Sequence, residues 1–328
     1  MNSDLIFYLI KEESPYNEMI DFMFRDTKVR DFTEKKHSFL FKIFLKNKVQ
    51  DMLGWIINPI ISRMFGLYKF MNNQENKKRK YFIFLNSSFI ENRIPEYCMK
   101  YYKKKWSDAK FILLYIDIIS DPVSNHANKL RKHGVFDAVY TVDNNDAIKY
   151  GLEFIRTPYS VNSRIESKKI KTDMYFCGAT KDRGKLILDI IREANQHLVK
   201  CKMDIHCNPY ELQDFSNRDS VNILENFVSY GRLLNNTVQA SCILDLVQSG
   251  QSALTLRPYE AVAYNRKLLT NNKSILDFEF YNPKYMQYFE KPEDIDWEWI
   301  KKKESVDYGY NGEFSPRHFM RRIINDTK

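Results

Sequence analysis

The sequence lacks any run of apolar residues long enough to cross a membrane. A spanning helix needs about 18 or more such residues, whereas the most apolar stretch, 56–61, is short and is interrupted by Pro59. The first residues also lack the charged start and the long apolar core of a secretion signal. These two absences lead us to expect a cytoplasmic protein.

Cysteine is scarce as well, with five residues in a chain of 328. Because the number is odd and three of the five lie in or beside predicted strands, reduced thiols are favoured over a disulfide framework. The tightest cluster, Cys201, His206 and Cys207, lacks a fourth ligand at the spacing of a zinc site. We therefore expect no bound metal.

The chain is rich in apolar residues, and its charge is unevenly distributed. Hydrophobic residues make up 44% and aromatic residues 15%, which excludes a disordered protein. The length suffices for two domains of about 150 residues. Of the net charge of +9, residues 35–105 hold sixteen Lys or Arg against four Asp or Glu, which is +12, and the remainder is −3. Such a basic region needs an anionic neighbour: lipid headgroups, a lipid-linked diphosphate or nucleic acid.

Part of this basic region, residues 35–56, has apolar side chains on one helical face and lysines elsewhere. A basic amphipathic helix is typical of proteins that bind at a membrane surface. The same pattern is typical of a helix packed on a core with its other face in water. Both interpretations stay open, and the first predicts peripheral association with the inner face of the cell membrane.

Strand-like and helix-like patterns alternate along most of the chain. Apolar runs of strand length are 4–10, 81–85, 110–116, 138–142, 152–156, 173–177, 203–207, 242–247 and 267–270. Helical patterns are 18–24, 96–106, 125–133, 144–151, 186–197, 230–240, 255–264, 294–303 and 316–325. This alternation favours parallel, doubly wound α/β sheets.

The same patterns predict the domain organisation. Residues 159–172 carry no apolar pattern and are expected to form a linker. The N-terminal domain is then 1–158, with the basic helical insertion. The C-terminal domain is 173–305, and a last helical segment occupies 306–328.

Ligands of such sheets lie beyond the carboxyl ends of the strands. In the N-terminal domain this singles out the segments that follow the strands 81–85 and 110–116. Asp117, Asp121 and His126 are the titratable residues best placed there. We take them as catalytic candidates, since a carboxylate at this edge could act as a general base.

The C-terminal domain is organised around the stretch 245–272, in which a strand, a small polar loop, a helix and a second strand follow one another. This order puts backbone N–H groups and the positive end of a helix at the loop, which suits a phosphate. Arg257 adds a planar cation, and Glu260, one turn further along, could accept the hydroxyls of a ribose. The candidate binding residues of this unit are Gly250, Gln251, Ser252, Thr255, Arg257 and Glu260.

A second strand-to-helix junction carries Gly178, Lys181 and Arg183. This basic loop could hold a diphosphate together with the loop around Gly250. It could equally be a solvated turn, and the sequence favours neither interpretation.

These residues resemble the nucleotide-sugar site of GT-B-fold glycosyltransferases, in which a Gly/Ser-rich loop precedes a helix that carries a glutamate and leads to an apolar strand. The matching positions are Gly250, Ser252, Thr255, Glu260–Ala263 and Lys267–Thr270. The phrases at 244–261 and 135–152 are similar to those of bacterial lipopolysaccharide and capsule biosynthesis proteins. The resemblance covers roughly residues 80–290. Asn265 stands where the family usually has a glycine, and asparagine can adopt the same left-handed backbone.

The resemblance implies two Rossmann-like domains facing across a cleft, with the second domain binding the donor and the last helix returning to the first. It implies a hexosyltransferase-like, metal-independent transfer of a sugar from a nucleotide-diphosphate sugar, for example a UDP-sugar. The acceptor would be a bacterial surface polysaccharide or a lipid-linked glycan, and no further cofactor is expected. Nucleic acid is not an expected partner, because no nucleic-acid-binding motif is visible. The alternative is a non-catalytic, nucleotide-binding component of a glycan assembly complex.

Overall fold

The computed structural model describes residues 5–12, 17–25, 27, 29–34, 79–86, 99–100, 103–104, 106–119, 125–162, 165, 169–216, 218–226 and 228–328. The chain divides into two compact units. The first contains Met1–Pro158 and Phe314–Lys328, and the second contains Tyr159–Glu313. Each unit is built on a six-stranded sheet.

The sheet of the first unit has the strand order β2-β1-β3-β4-β5-β6, and all of its neighbouring strands are parallel. The strands are β1 (Leu5–Glu12), β2 (Arg30–Glu34), β3 (Arg79–Leu85), β4 (Lys110–Tyr115), β5 (Ala138–Thr141) and β6 (Glu153–Phe154). The helices α1 (Asn17–Met23), α2 (Asn125–Lys132) and α3 (Asn144–Tyr150) belong to the same unit. Strands β3 and β4 are buried along nearly their whole length, because both faces of a parallel sheet are covered.

The sheet of the second unit has the order β12-β11-β10-β7-β8-β9 and is also parallel throughout. Its strands are β7 (Thr172–Ala179), β8 (Cys201–His206), β9 (Val221–Ile223), β10 (Ala240–Asp245), β11 (Lys267–Thr270) and β12 (Met286–Tyr288). From β7 the chain builds outwards to β9, and it then crosses back to β10 on the other side. This is the strand order of the dinucleotide-binding fold, whose ligands lie at the carboxyl ends of the strands where the order reverses. Here those strands are β7 and β10.

The two faces of the second sheet differ in chemistry. The helices that follow its strands are α4 (Gly184–Gln196), α5 (Leu212–Ser216), α6 (Tyr230–Thr237), α7 (Leu256–Ala263) and α8 (Trp297–Lys301). Apolar side chains such as Met174, Phe176 and Met203 form one buried core with α4. Alternate residues of a strand point to opposite faces, so Tyr175 and Asp204 lie on the other face. That face is polar, and α6 and α7 pack on its central strands.

The chain ends with helix α9 (Pro316–Asp326), which packs within the first unit. The Tyr140 hydroxyl donates to Asp326 at 2.7 Å. Arg322 donates to the carbonyl of Phe154 at 2.9 Å and to the carboxylate of Glu153 at 2.9 Å. The last helix is therefore fastened to the edge strand β6 and to β5.

The predicted fold class is confirmed, since both units are parallel, doubly wound α/β sheets. The strands β2, β9 and β12 were not predicted. The predicted helix 294–303 is shorter, at Trp297–Lys301. The predicted helix 35–56 lies outside the described residues, and the predicted helix 96–106 is described only in part. Among the helices that the structure does describe, none is long and apolar enough to span a membrane.

A buried lysine fixes the segment that follows α8. Lys267 is 1% exposed at the start of β11, and its Nζ donates to the carbonyls of Trp299 and Lys302, both at 2.6 Å. The same ammonium lies 3.4 Å from the carboxylate of Glu304. A buried ammonium is tolerated because each of its protons finds an acceptor.

We expect Lys267→Met to lower the free energy of unfolding by about 1.5–3 kcal/mol, because hydrogen bonds to a charged group are lost and Glu304 loses its buried partner. Denaturant unfolding measures this change. Lys302→Met is the matched control, since Lys302 pairs with the same Glu304 at 3.7 Å but is 67% exposed. Equal losses in the two variants would contradict the role given to Lys267.

Candidate functional site

The loops that follow β7 and β10 are fastened to each other. The Arg183 guanidinium donates to the carbonyl of Leu246 and, at 2.5 Å, to the carbonyl of Ala179. The Asp182 carboxylate accepts from the N–H of Ser249 at 2.9 Å, and this bond is the main cause of the lowered pKa of Asp182. The predicted basic loop and the predicted Gly250 loop thus form one built surface at the carboxyl ends of the two central strands.

Glycine is required at two points of this surface. A Cβ on Gly178 would lie 3.0 Å from the Phe176 ring and 3.5 Å from the Arg183 guanidinium, so the bare backbone makes room for that side chain. Gly250 has a φ of +79°, in the left-handed region that favours glycine. The N–H of Gln251 donates to the carbonyl of Gln248 at 3.1 Å and closes the turn around Gly250.

Thr255 begins helix α7 and ties it to β10. Its hydroxyl accepts from the N–H of Arg257 at 3.1 Å, as an N-cap does. It also donates to the carboxylate of Asp245 at 2.9 Å. Asp245 accepts a second hydroxyl, from Thr270, at 2.9 Å. Burial is the main cause that raises the pKa of Asp245.

Arg257 and Glu260, which the sequence suggests as ligands of a diphosphate and a ribose, are paired with each other. Glu260 is 0% exposed. Its Oε2 accepts from the guanidinium of Arg257, and its Oε1 accepts from the hydroxyl of Tyr230 at 2.7 Å. The Arg257 side chain is 15% exposed and also lies 3.4 Å from the hydroxyl of Thr237. Of this pair, only the arginine reaches the surface.

The remaining donor-side candidates lie at the same edge but differ in exposure. Lys181 is exposed and has a φ of +45°. Ser252 is half-buried in the loop before α7. Arg183 is engaged by two carbonyls, and its buried Nε–H has no partner in the part of the chain that the structure describes. The structure therefore brings the predicted binding residues to one edge of the second sheet.

Of the catalytic candidates in the first unit, one is described in full. Asp117 is exposed after β4 and accepts from the N–H of Ile118 at 2.8 Å. Asp121 lies outside the described residues, and of His126 only the backbone is described, in α2. Sequence reasoning missed Asp146, a buried carboxylate at the start of α3. It accepts from the N–H of Ile119 at 2.6 Å, and burial raises its pKa.

The cysteine cluster has no features of a metal site. Burial raises the pKa of Cys201 to about 12, so the thiol stays protonated at neutral pH. A thiol must lose its proton to bind a metal. In the described ranges, no group of three or more His, Cys, Asp or Glu side chains is arranged to hold a metal ion.

The raised pKa of Asp245 predicts a pH dependence of stability. The folded chain holds the proton more tightly than the unfolded chain, so the stabilisation is complete below the ordinary value of 3.8 and is lost as pH rises through the raised value. We expect Asp245→Asn to remove this slope, so that its free energy of unfolding improves relative to wild type as pH rises. Denaturant unfolding between pH 4 and 8 measures both curves. Parallel curves would contradict the assignment.

Comparison by sequence finds no matching family model and no matching curated protein. Solved structures do match. An α-glucosyltransferase in complex with UDP and a 13-mer DNA containing a central A:G mismatch aligns with a TM-score of 0.58 and 11% identity, over 98% of this chain and 93% of that one. A glycosyltransferase from Rickettsia africae ESF-5 aligns with a TM-score of 0.52 and 10% identity, over 100% and 98% of the two chains.

A third structure, an α-glucosyltransferase in complex with UDP-glucose and DNA containing an abasic site, aligns with a TM-score of 0.51 and 12% identity, over 98% of this chain and 93% of that one. Two of the three neighbours contain DNA, which conflicts with the expectation that nucleic acid is not a partner. At these identities the likeness concerns the fold. The chain has the GT-B fold of two Rossmann-like units.

Proposed function

We propose that this protein is a glycosyltransferase that transfers a sugar from a nucleotide-diphosphate sugar, with the donor bound by the second unit. The observation that carries the proposal is the junction of β10 and α7. There a left-handed glycine loop, the start of a helix and the Arg257–Glu260 pair meet where the strand order reverses. Phosphates bind at such helix starts because N–H groups and the helix dipole point towards them.

The diphosphate is the part of the donor that this edge suits best. Lys181 is exposed beside the loop, and the unpartnered Nε–H of Arg183 offers one more buried donor. Groups of this kind stabilise the negative charge that develops on the departing diphosphate. A metal-independent transfer fits this arrangement and stays a prediction.

Binding of the ribose requires an exchange of partners. Glu260 is wholly buried beneath Arg257, so a ribose reaches its carboxylate only after the arginine side chain shifts. The diphosphate offers the new partner for Arg257, since arginine forms strong charge-assisted bonds with phosphate. In the bound state Arg257 then contacts phosphate, and Glu260 accepts the ribose hydroxyls.

We expect Glu260→Gln and Arg257→Gln each to weaken the binding of UDP about ten- to a hundred-fold, which corresponds to about 1.5–3 kcal/mol for a charge-assisted contact. Isothermal calorimetry measures the affinities. Arg192→Gln and Glu298→Gln are matched controls, because both residues form ion pairs near the surface of the same unit. Unchanged affinity for every nucleotide diphosphate in both site variants would rule out this binding site.

The acceptor side belongs to the first unit in this proposal. Asp117, Asp121 and His126 are the base candidates of an inverting mechanism, which needs a general base. If Asp117 has this role, Asp117→Asn lowers turnover about 10²–10⁴-fold and leaves donor affinity within a few-fold. Asp108→Asn, at another exposed aspartate of this unit, is the control. Full turnover in Asp117→Asn would point to a retaining mechanism or to another base.

The acceptor is a bacterial surface polysaccharide or a lipid-linked glycan in the reading that the sequence favours. DNA is a second candidate, because the α-glucosyltransferase with the TM-score of 0.58 was solved with DNA and residues 35–105 carry a net charge of +12. Peripheral binding to an anionic membrane stays a prediction, since residues 35–78 lie outside the described ranges.

The experiment that tests the function offers a panel of nucleotide-sugars with three acceptors: a lipid-linked glycan, a soluble polysaccharide and duplex DNA. Mass spectrometry detects the glycosylated product, and release of nucleotide diphosphate reports hydrolysis. We expect transfer from at least one donor, and the acceptor that gains mass identifies the class. Nucleotide binding without transfer or hydrolysis would favour the non-catalytic alternative.

A further inference from the structure

A directed chain of buried hydrogen bonds ends at Glu260. The hydroxyl of Tyr230 lies 2.7 Å from the Glu260 carboxylate and 3.2 Å from the hydroxyl of Tyr159. A carboxylate can only accept, so the single proton of Tyr230 points to Glu260. The proton between the two hydroxyls therefore belongs to Tyr159, which donates to Tyr230. Burial raises the pKa of both tyrosines, so both keep their protons at neutral pH.

The chain starts in the segment that leads into the second unit. Tyr159 is the first residue of that unit and is fully buried. Three residues further, the N–H of Asn162 donates to the hydroxyl of Tyr264 at 2.9 Å. The rings of Tyr159 and Tyr264 also meet edge-on, with centroids 6.4 Å apart. This entering segment is thus tied to the region of α7 at two points.

We propose that Tyr230, supported by Tyr159, is a positioning residue that fixes the Glu260 carboxylate for the two hydroxyls of the donor's ribose. The inference rests on the proposed function and adds residues that the sequence did not single out. A carboxylate has about four acceptor positions. In the described part of the chain Tyr230 and Arg257 occupy one each, which leaves positions for both hydroxyls.

The physical need for Tyr230 arises during the exchange of partners. When Arg257 turns to the diphosphate, Glu260 stays buried and loses its cation. A buried carboxylate without partners is strongly disfavoured. Tyr230 remains as a donor to Oε1 throughout, and so the carboxylate is held in one orientation while the ribose replaces arginine at Oε2. Without this hydroxyl the carboxylate would turn towards other donors, and the ribose would meet a misplaced acceptor.

The test compares UDP with the UDP analogue whose ribose lacks both hydroxyls, by calorimetry on the full chain. Wild type should prefer UDP by about ten-fold or more. We expect Tyr230→Phe to weaken UDP binding about ten-fold and to leave the affinity for the analogue within two-fold. Tyr159→Phe should have a smaller effect of the same kind. Tyr288→Phe is the matched control, since it removes a tyrosine–glutamate bond of 3.2 Å near the surface of the same unit.

A double variant separates positioning from general stability. If Tyr230 acts through Glu260, adding Tyr230→Phe to Glu260→Gln changes UDP affinity no further. Equal weakening of UDP and the analogue in Tyr230→Phe would show a merely structural role and overturn the inference. A wild type that binds UDP and the analogue equally would also overturn it and leave nucleotide binding standing. Wild type that binds no nucleotide diphosphate would overturn the proposed function and this inference together.

Discussion

The buried ion pair between Arg257 and Glu260 constrains the second unit more than any other interaction. Removing an ion from water costs several kcal/mol, so a buried charge persists only with well-placed partners. The two residues are three apart on α7, which places them on adjacent turns of one helix face. Tyr230 on α6 and Thr237 at the end of the same helix complete the set. The packing of α6 against α7 is therefore dictated by hydrogen bonding as much as by apolar contact.

This constraint divides the labour between the two faces of the second sheet. The face covered by α4 is apolar, and burial of its side chains supplies the bulk of stability. The opposite face carries a second satisfied carboxylate, Asp204, which accepts from Tyr175 at 2.7 Å, Asn222 at 2.9 Å and Asn236 at 3.0 Å. Networks of this kind have fixed geometry, because any displaced member leaves a buried polar group unpaired. A rigid polar face is a suitable support for a binding edge.

The sequence predicts the central strands well and the edge strands poorly. β3, β4, β7, β10 and β11 are buried on both faces, so they are continuous apolar runs that stand out between polar turns. The missed strands β2, β9 and β12 all lie at sheet edges. Their sequences, such as Arg30–Glu34, are short or polar because an edge strand has fewer neighbours to pack against. Only the completed sheet assigns them.

The candidate site shows the same limit in another form. Loop glycines, the Thr255 cap and the charged residues could all be predicted, since each follows from local chemistry. Their pairing could not, because Arg183 bonds to Leu246 and Tyr230 bonds to Glu260 across long stretches of sequence. Cations that the sequence offers to a phosphate thus have partners inside the protein. In the proposed exchange, the affinity for a ligand is the difference between its contacts and the internal contacts that it displaces.

That difference also selects the ligand. A phosphate compound without a ribose would draw Arg257 away and leave Glu260 buried with Tyr230 as its remaining donor. A nucleoside without phosphates would find the carboxylate covered, since nothing would stabilise Arg257 in its displaced position. Only a molecule that carries both groups satisfies both members of the pair. Specificity then arises from the cost of leaving one partner unpaired, which is a repulsive element built into the site.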